Sequence, residues 1–164
     1  MLKKLGGGEN GRKGGAMQHK IIPDIVLEQK VCELPQGGTV YEAAKEMFEA
    51  NVAAIVVTDK SGKLVGIVTE RDLTRRVLAK GLDAKETRLK EVMTKNPDTL
   101  APDDMVADAL ELMQKRRYRH LPVAVDGRAV AMVSIRDLYA AMKEMLEKTI
   151  SETEAFVFGD RYGA

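Results

Sequence analysis

Tryptophan is absent from this chain of 164 residues, and cysteine occurs once. A lone Cys32 excludes an intrachain disulfide framework and leaves no ligand set for a cysteine-based metal site. It fits a reducing, cytoplasmic setting, with Cys32 acting as a small buried hydrophobe. An excess of charge of either sign is also missing, since 26 Lys plus Arg face 25 Asp plus Glu and the formal net charge is +1. No bulk field then calls for nucleic acid or an anionic membrane. No apolar run approaches the roughly 20 residues that span a bilayer, so no membrane partner is expected. Catalytic sets are lacking as well. There is no nucleophile with an evident base, no paired carboxylates outside helix-capping positions, and no His/Cys/Asp set at metal spacing. The glycine-rich stretch at 6–15 lacks the GK(S/T) and strand-to-helix setting of a phosphate loop. These absences argue against an enzyme and against any metal or catalytic cofactor.

What is present is a duplication. Residues 1–18 read as a disordered leader without the apolar core of a secretory signal. From His19 an irregular lead-in carries Ile21, Ile22 and Ile25, a brief strand is expected over Lys30 to Leu34, and Pro35-Gln-Gly-Gly38 reads as a turn. Thr39 and Glu42 form a capping box ahead of a helix whose apolar face is Val40, Ala43, Ala44, Met47 and Phe48. A continuous apolar strand, Ala53 to Val57, a turn at Asp59-Lys-Ser-Gly62 and a strand from Leu64 to Val68 follow. A second helix starts at Thr69, carries Leu73, Val77 and Leu78, and ends at Gly81. The same order recurs about 65 residues later, with a helix from Val106, a strand Leu121 to Val125, a tight turn at Asp126-Gly127 and a return strand Val130 to Val133. GIVTERDL (66–73) reappears as AMVSIRDL (131–138). Two α+β halves, each a small sheet covered on one side by helices, are expected to pack sheet to sheet.

Helix, strand, hairpin, strand ending in (Thr/Ser)-x-x-Asp, helix, in tandem, resembles a pair of cystathionine β-synthase (CBS) domains. Glu91-Val-Met-Thr94 matches the link that introduces a second repeat, and Arg119-His-Leu-Pro-Val123 matches the family's strand motif. Ala53-Ala-Ile-Val-Val57 departs from that motif by lacking the Pro and any polar residue. The expected division is repeat 1 at 19–88, repeat 2 at 89–150 and an aromatic tail at 151–164. The resemblance implies a stand-alone, non-catalytic sensor that binds an adenosine-containing ligand between the repeats, as a homodimer.

The residues set bounds on that expectation. Thr69 with Asp72, and Ser134 with Asp137, have capping-box spacing and could serve only their helices. A carboxylate also suits a ribose diol, and a hydroxyl with helix N-terminal amides suits a phosphate. Around the second copy Lys115, Arg116, Arg117, Tyr118, Arg119 and His120 precede a strand containing Pro122, and Arg136 sits inside the motif. This favours a phosphate-bearing ligand, AMP, ADP or ATP, over S-adenosylmethionine. The first copy offers Ala53, Thr69, Arg71 and Asp72, with Arg75 and Arg76 nearby, so unequal sites are expected. Thr94, Asn96 and Pro97 resemble the segment whose backbone edges the adenine in this family. The alternatives are a protein-interaction module with unoccupied clefts that holds a client, and weak nucleic-acid binding through 115–120. The latter ranks lower because Tyr118 is the only aromatic interleaved with those cations. Phe156, Phe158 and Tyr162 concentrate aromatics near the C-terminus, for docking on the module, a dimer mate or a client.

Overall fold

The computed structural model describes residues 19–27 and 29–159, with side chains as far as Glu154. The expected leader and Tyr162 lie outside the described residues, as do the side chains of Phe156 and Phe158. Helix α1 (Val40–Ala50) starts where Thr39 Oγ1 accepts the Glu42 N–H at 3.2 Å while the Glu42 carboxylate accepts the Thr39 N–H at 2.6 Å. Val40, Ala43 and Met47 are buried, but Ala44 and Phe48 are exposed, Phe48 to 86%. The expected apolar face was therefore too wide. At 100° per residue, positions 44 and 48 rotate off the stripe that meets the sheet.

Strand β1 (Glu33–Pro35) pairs in parallel with β2 (Ala54–Thr58), β2 pairs antiparallel with β3 (Leu64–Thr69), and β3 pairs with β4 (Thr94–Lys95). All five β2 residues are buried because both faces are covered. Ile55 and Val57 join the core beneath α1, while Ala54 and Val56, also buried, alternate to the opposite face. Gly66 is needed in β3, since a Cβ there would collide with the Met93 thioether. The helix expected from Thr69 is irregular: α2 (Glu70–Asp72) widens over Leu73–Val77 and tightens over Leu78–Lys80. That change of pitch leaves Leu78 77% exposed, although Val77 reaches the core.

The second repeat has α4 (Val106–Arg116), a hairpin of β5 (His120–Val125) and β6 (Arg128–Ser134), and α5 (Ile135–Gly159). Asp126 and Gly127, at φ 51° and 79°, make the expected two-residue turn. Helix α5 runs on past Ser151, so the C-terminal segment begins as helix. The second repeat's parallel pairing shrinks to one bridge, Leu100 to Val123. Its cause is Pro122. The equivalent Val56 N–H donates to the Cys32 carbonyl at 3.0 Å, a bond a proline cannot make.

The core of each repeat is completed by the lead-in segment of the other. Ile21, fully buried, belongs to the second core with Leu100, Val106, Met113, Leu121 and Leu138. Its N–H donates to the Asp104 carbonyl, and the Val106 N–H to the His19 carbonyl. Short helix α3 (Leu89–Val92) does the same for the first core, where Leu89 is fully buried and its N–H donates to the Gly38 carbonyl. Packing thus crosses the expected division at 88/89 in both directions. The two hairpin turns are tied together, with the Leu64 N–H on the Gly127 carbonyl at 2.8 Å and Arg128 Nη2 on the Ser61 carbonyl at 2.7 Å.

Candidate ligand cleft

At the end opposite that tie, the two hairpins frame one cavity of about 830 Å³, lined from both repeats. Its centre holds the paired motifs, where β3 runs into α2 and β6 into α5. Asp72 Oδ2 accepts the Thr69 N–H at 2.9 Å and the Thr69 hydroxyl at 2.8 Å. Asp137 Oδ2 accepts the Ser134 N–H at 2.8 Å and the Ser134 hydroxyl at 2.7 Å. In return Thr69 Oγ1 and Ser134 Oγ accept the Asp72 and Asp137 N–H groups at 3.3 and 3.2 Å. Both capping boxes are formed. Each uses the inner carboxylate oxygen, and so leaves the outer one to other partners.

The walls differ. Ala53 and Ala54 border the first half, and Arg119 and His120 occupy the equivalent places in the second. Strand alternation puts His120 on the same face as buried Pro122, toward the first repeat. Burial pushes the His120 imidazole below its ordinary value; Asp137 and Glu70 oppose this, and Arg119 and Arg136 reinforce it. The shift favours the neutral imidazole, which can both donate and accept. Tyr118 stands beside Asp98, and burial, aided by that carboxylate, raises its phenol. Asp98 also meets Arg116 Nε at 3.6 Å. Burial raises the Cys32 thiol, with Glu46 acting in the same sense. Cys32 is half-buried, packed against the first core and also bordering the cleft.

Of the residues expected at a site, Ala53, Thr69, Arg71, Asp72, Thr94 and Pro97 line the cavity, as do Tyr118, Arg119, His120, Ser134, Arg136 and Asp137. Asn96 lies away from it. At φ 46° it turns outward, its N–H on the Val65 carbonyl, beside a separate shallow depression. Pro122 is enclosed in β5 and does not border the cavity. Sequence reasoning missed the lead-in wall, Gln29 to Cys32. Its signal was the alignment of Leu34 with Leu100, which sets Val31 and Cys32 over Pro97 and Asp98. Among the described residues no group of three or more His, Cys, Asp or Glu could hold a metal ion, and no helix is long and apolar enough to cross a membrane.

Fold and cleft together define a pseudo-symmetric two-repeat module with one shared, cation-rich cavity. The CBS-domain family profile matches residues 29–79 and 89–144. A CBS domain-containing protein of Arabidopsis thaliana is 38% identical over 127 residues, 77% of this chain and 23% of the relative. The chain spans about a quarter of the length of the first curated relatives it matches. An uncharacterised 17.7 kDa protein of Acidianus ambivalens is 37% identical over 121 residues, 73% of this chain and 72% of the relative. Among solved structures, a CBS domain protein from Pyrobaculum aerophilum complexed with AMP superposes with a TM-score of 0.65 at 30% identity, over 74% of this chain and 95% of that one. This chain belongs to the CBS-domain family, as a tandem pair of repeats. Domains of this family are regulatory modules, not catalysts.

Proposed function

We propose that this chain senses an adenine nucleotide, AMP, ADP or ATP, in the cleft between its repeats and signals occupancy through a homodimer. The observation that carries the reading is the convergence, in one cavity, of the Ser134/Asp137 pair with Arg119, His120 and Arg136. A carboxylate with an open oxygen accepts from a ribose diol, and guanidinium groups with a helix N-terminus favour phosphate. The AMP carried by the Pyrobaculum relative supports the same ligand class. Ala53, Thr69, Arg71 and Asp72 form the matching first half, and Thr94, Pro97 and Tyr118 border the base. The exposed stripe Tyr41, Ala44 and Phe48 on α1 supports the dimer contact. In the second repeat its equivalents are Ala107, Leu110 and Gln114. A lone cysteine fits a cytoplasmic setting.

Signalling follows from differential affinity, since a ligand held by both repeats favours the arrangement in which they close on it. The test is a melting series at fixed protein concentration with AMP, ADP, ATP, NAD, S-adenosylmethionine and a short RNA. At a hundred times its dissociation constant a ligand adds about 2.7 kcal/mol, raising the midpoint of a chain this size by roughly 5 to 10 °C. A rise confined to adenine mononucleotides is expected. A midpoint unmoved by every compound would leave the motifs as helix caps and overturn the reading.

A further inference from the structure

The two motif carboxylates are alike in their inner oxygens and different in their outer ones. Asp72 Oδ1 stands in an ion pair with Arg76 Nε at 3.3 Å, so both oxygens of this 14%-exposed side chain have a partner. The same guanidinium donates from Nη1 to the Val92 carbonyl at 2.6 Å and from Nη2 to Thr94 Oγ1 at 3.2 Å. Three anchors fix its planar fork, two of them in the link that leads into the second repeat. Arg76 stands one helical turn beyond Asp72. One turn beyond Asp137 the chain has Ala141, which carries no donor. Among the described residues the Asp137 side chain bonds only to Ser134, through Oδ2, and Oδ1 is left unpaired at the cavity.

A ribose diol donates two O–H groups and needs an acceptor that is not already committed. At Asp72 it would have to compete with a cation already held against the carboxylate by two further bonds to Val92 and Thr94. At Asp137 nothing has to leave. The Thr94 hydroxyl accepts from the same Arg76 fork. We infer that Arg76 is a built-in occupant of the first half-site, so that each chain takes one nucleotide, at Asp137, and not two. This rests on the nucleotide reading above and adds stoichiometry and place to it. The first half of the cleft is then a strut between the repeats, and ligand occupancy changes only the second.

Isothermal titration calorimetry of the full chain with AMP tests it. One AMP per chain is expected for the unaltered protein. Asp137→Asn weakens binding about tenfold or more, a larger loss than Asp72→Asn produces. Arg76→Met keeps the aliphatic stem, frees Asp72 and admits a second AMP. Because that variant also releases Val92 and Thr94, the reciprocal Ala141→Arg is read beside it: a guanidinium one turn after Asp137 abolishes binding while the melting transition persists. Two equivalent AMP molecules on the unaltered chain would overturn the inference and leave the nucleotide reading standing. So would binding lost in Asp72→Asn but kept in Asp137→Asn, or a single AMP on a folded Arg76→Met. No heat of AMP binding in any of these proteins would overturn both.

Discussion

In the first half of the cleft the chain arrives from Asn51 and presents Ala53 and Ala54; in the second it arrives from Arg117 and presents Arg119 and His120. Backbone geometry at these two helix ends is nearly the same, with Asn51 at φ 52° and Arg117 at φ 59°, both in the left-handed region that closes the preceding helix. One backbone plan therefore carries two chemistries. Asparagine suits that left-handed position, and arginine does not, so the second repeat accepts local strain where it gains a cation. A duplicated scaffold can hold its shape while the two halves of its cleft diverge, one carrying an internal ion pair at its motif carboxylate and one without.

The largest test of this comparison concerns which core each lead-in segment completes. Ile21→Ala and Leu89→Ala should each lower stability by about 2–5 kcal/mol in urea titrations. Hydrogen exchange should separate them, with amides of 121–133 opening in the first variant and those of 54–68 in the second. Faster exchange in the opposite hairpin would refute the crossed packing. Next is Arg119→Ala, which removes a charge-assisted bond and should weaken AMP by about 1.5–3 kcal/mol in calorimetry, against little change in melting. Arg117→Gly relieves the left-handed residue and should raise stability by about 1 kcal/mol, read from the melting midpoint. A loss of stability instead would mean that its side chain outweighs the backbone strain.

The smallest effect is with pH. The fold holds His120 below its ordinary value, so its contribution is intact above that value and is lost as the pH falls through the folded one. A bound phosphate favours the imidazolium, so as the pH drops from 7 toward 5 the unaltered protein should gain AMP affinity relative to His120→Ala, the protonation of the ligand's own phosphate at about pH 6 being common to both. A first-half variant such as Asp72→Asn should leave the slope unaltered.

Much of this arrangement was legible in the residues. The capping box at Thr39 and Glu42, the doubly buried strand expected at 53–57 and found at 54–58, and the equivalence of Thr69/Asp72 with Ser134/Asp137 all follow from local chemistry and register. What could not be read is what depends on distant packing. Ile21 is one of several apolar residues around a proline, and no local pattern says that it belongs to a core built 79 to 117 positions later. Arg76 read as one of several cations near a helix end; only the approach of Val92 and Thr94 turns it into a fixed strut. Phe48 misled because an aromatic at helical spacing reads as core unless the width of the sheet beneath is known. Pro122 read as part of a binding motif, while its effect on the neighbouring strand lay in a donor it does not have.

Because the segment around Ile21 walls in the later repeat and α3 walls in the earlier one, neither half is a self-sufficient piece. Cut the chain near 88, and the fragment from 89 onward keeps a wall it has no use for while lacking the one its own interior requires. Two such fragments mixed together regain what each is missing only by embracing, as interlocked hands do. A gene encoding a single repeat would gain a closed interior by the same exchange with a twin.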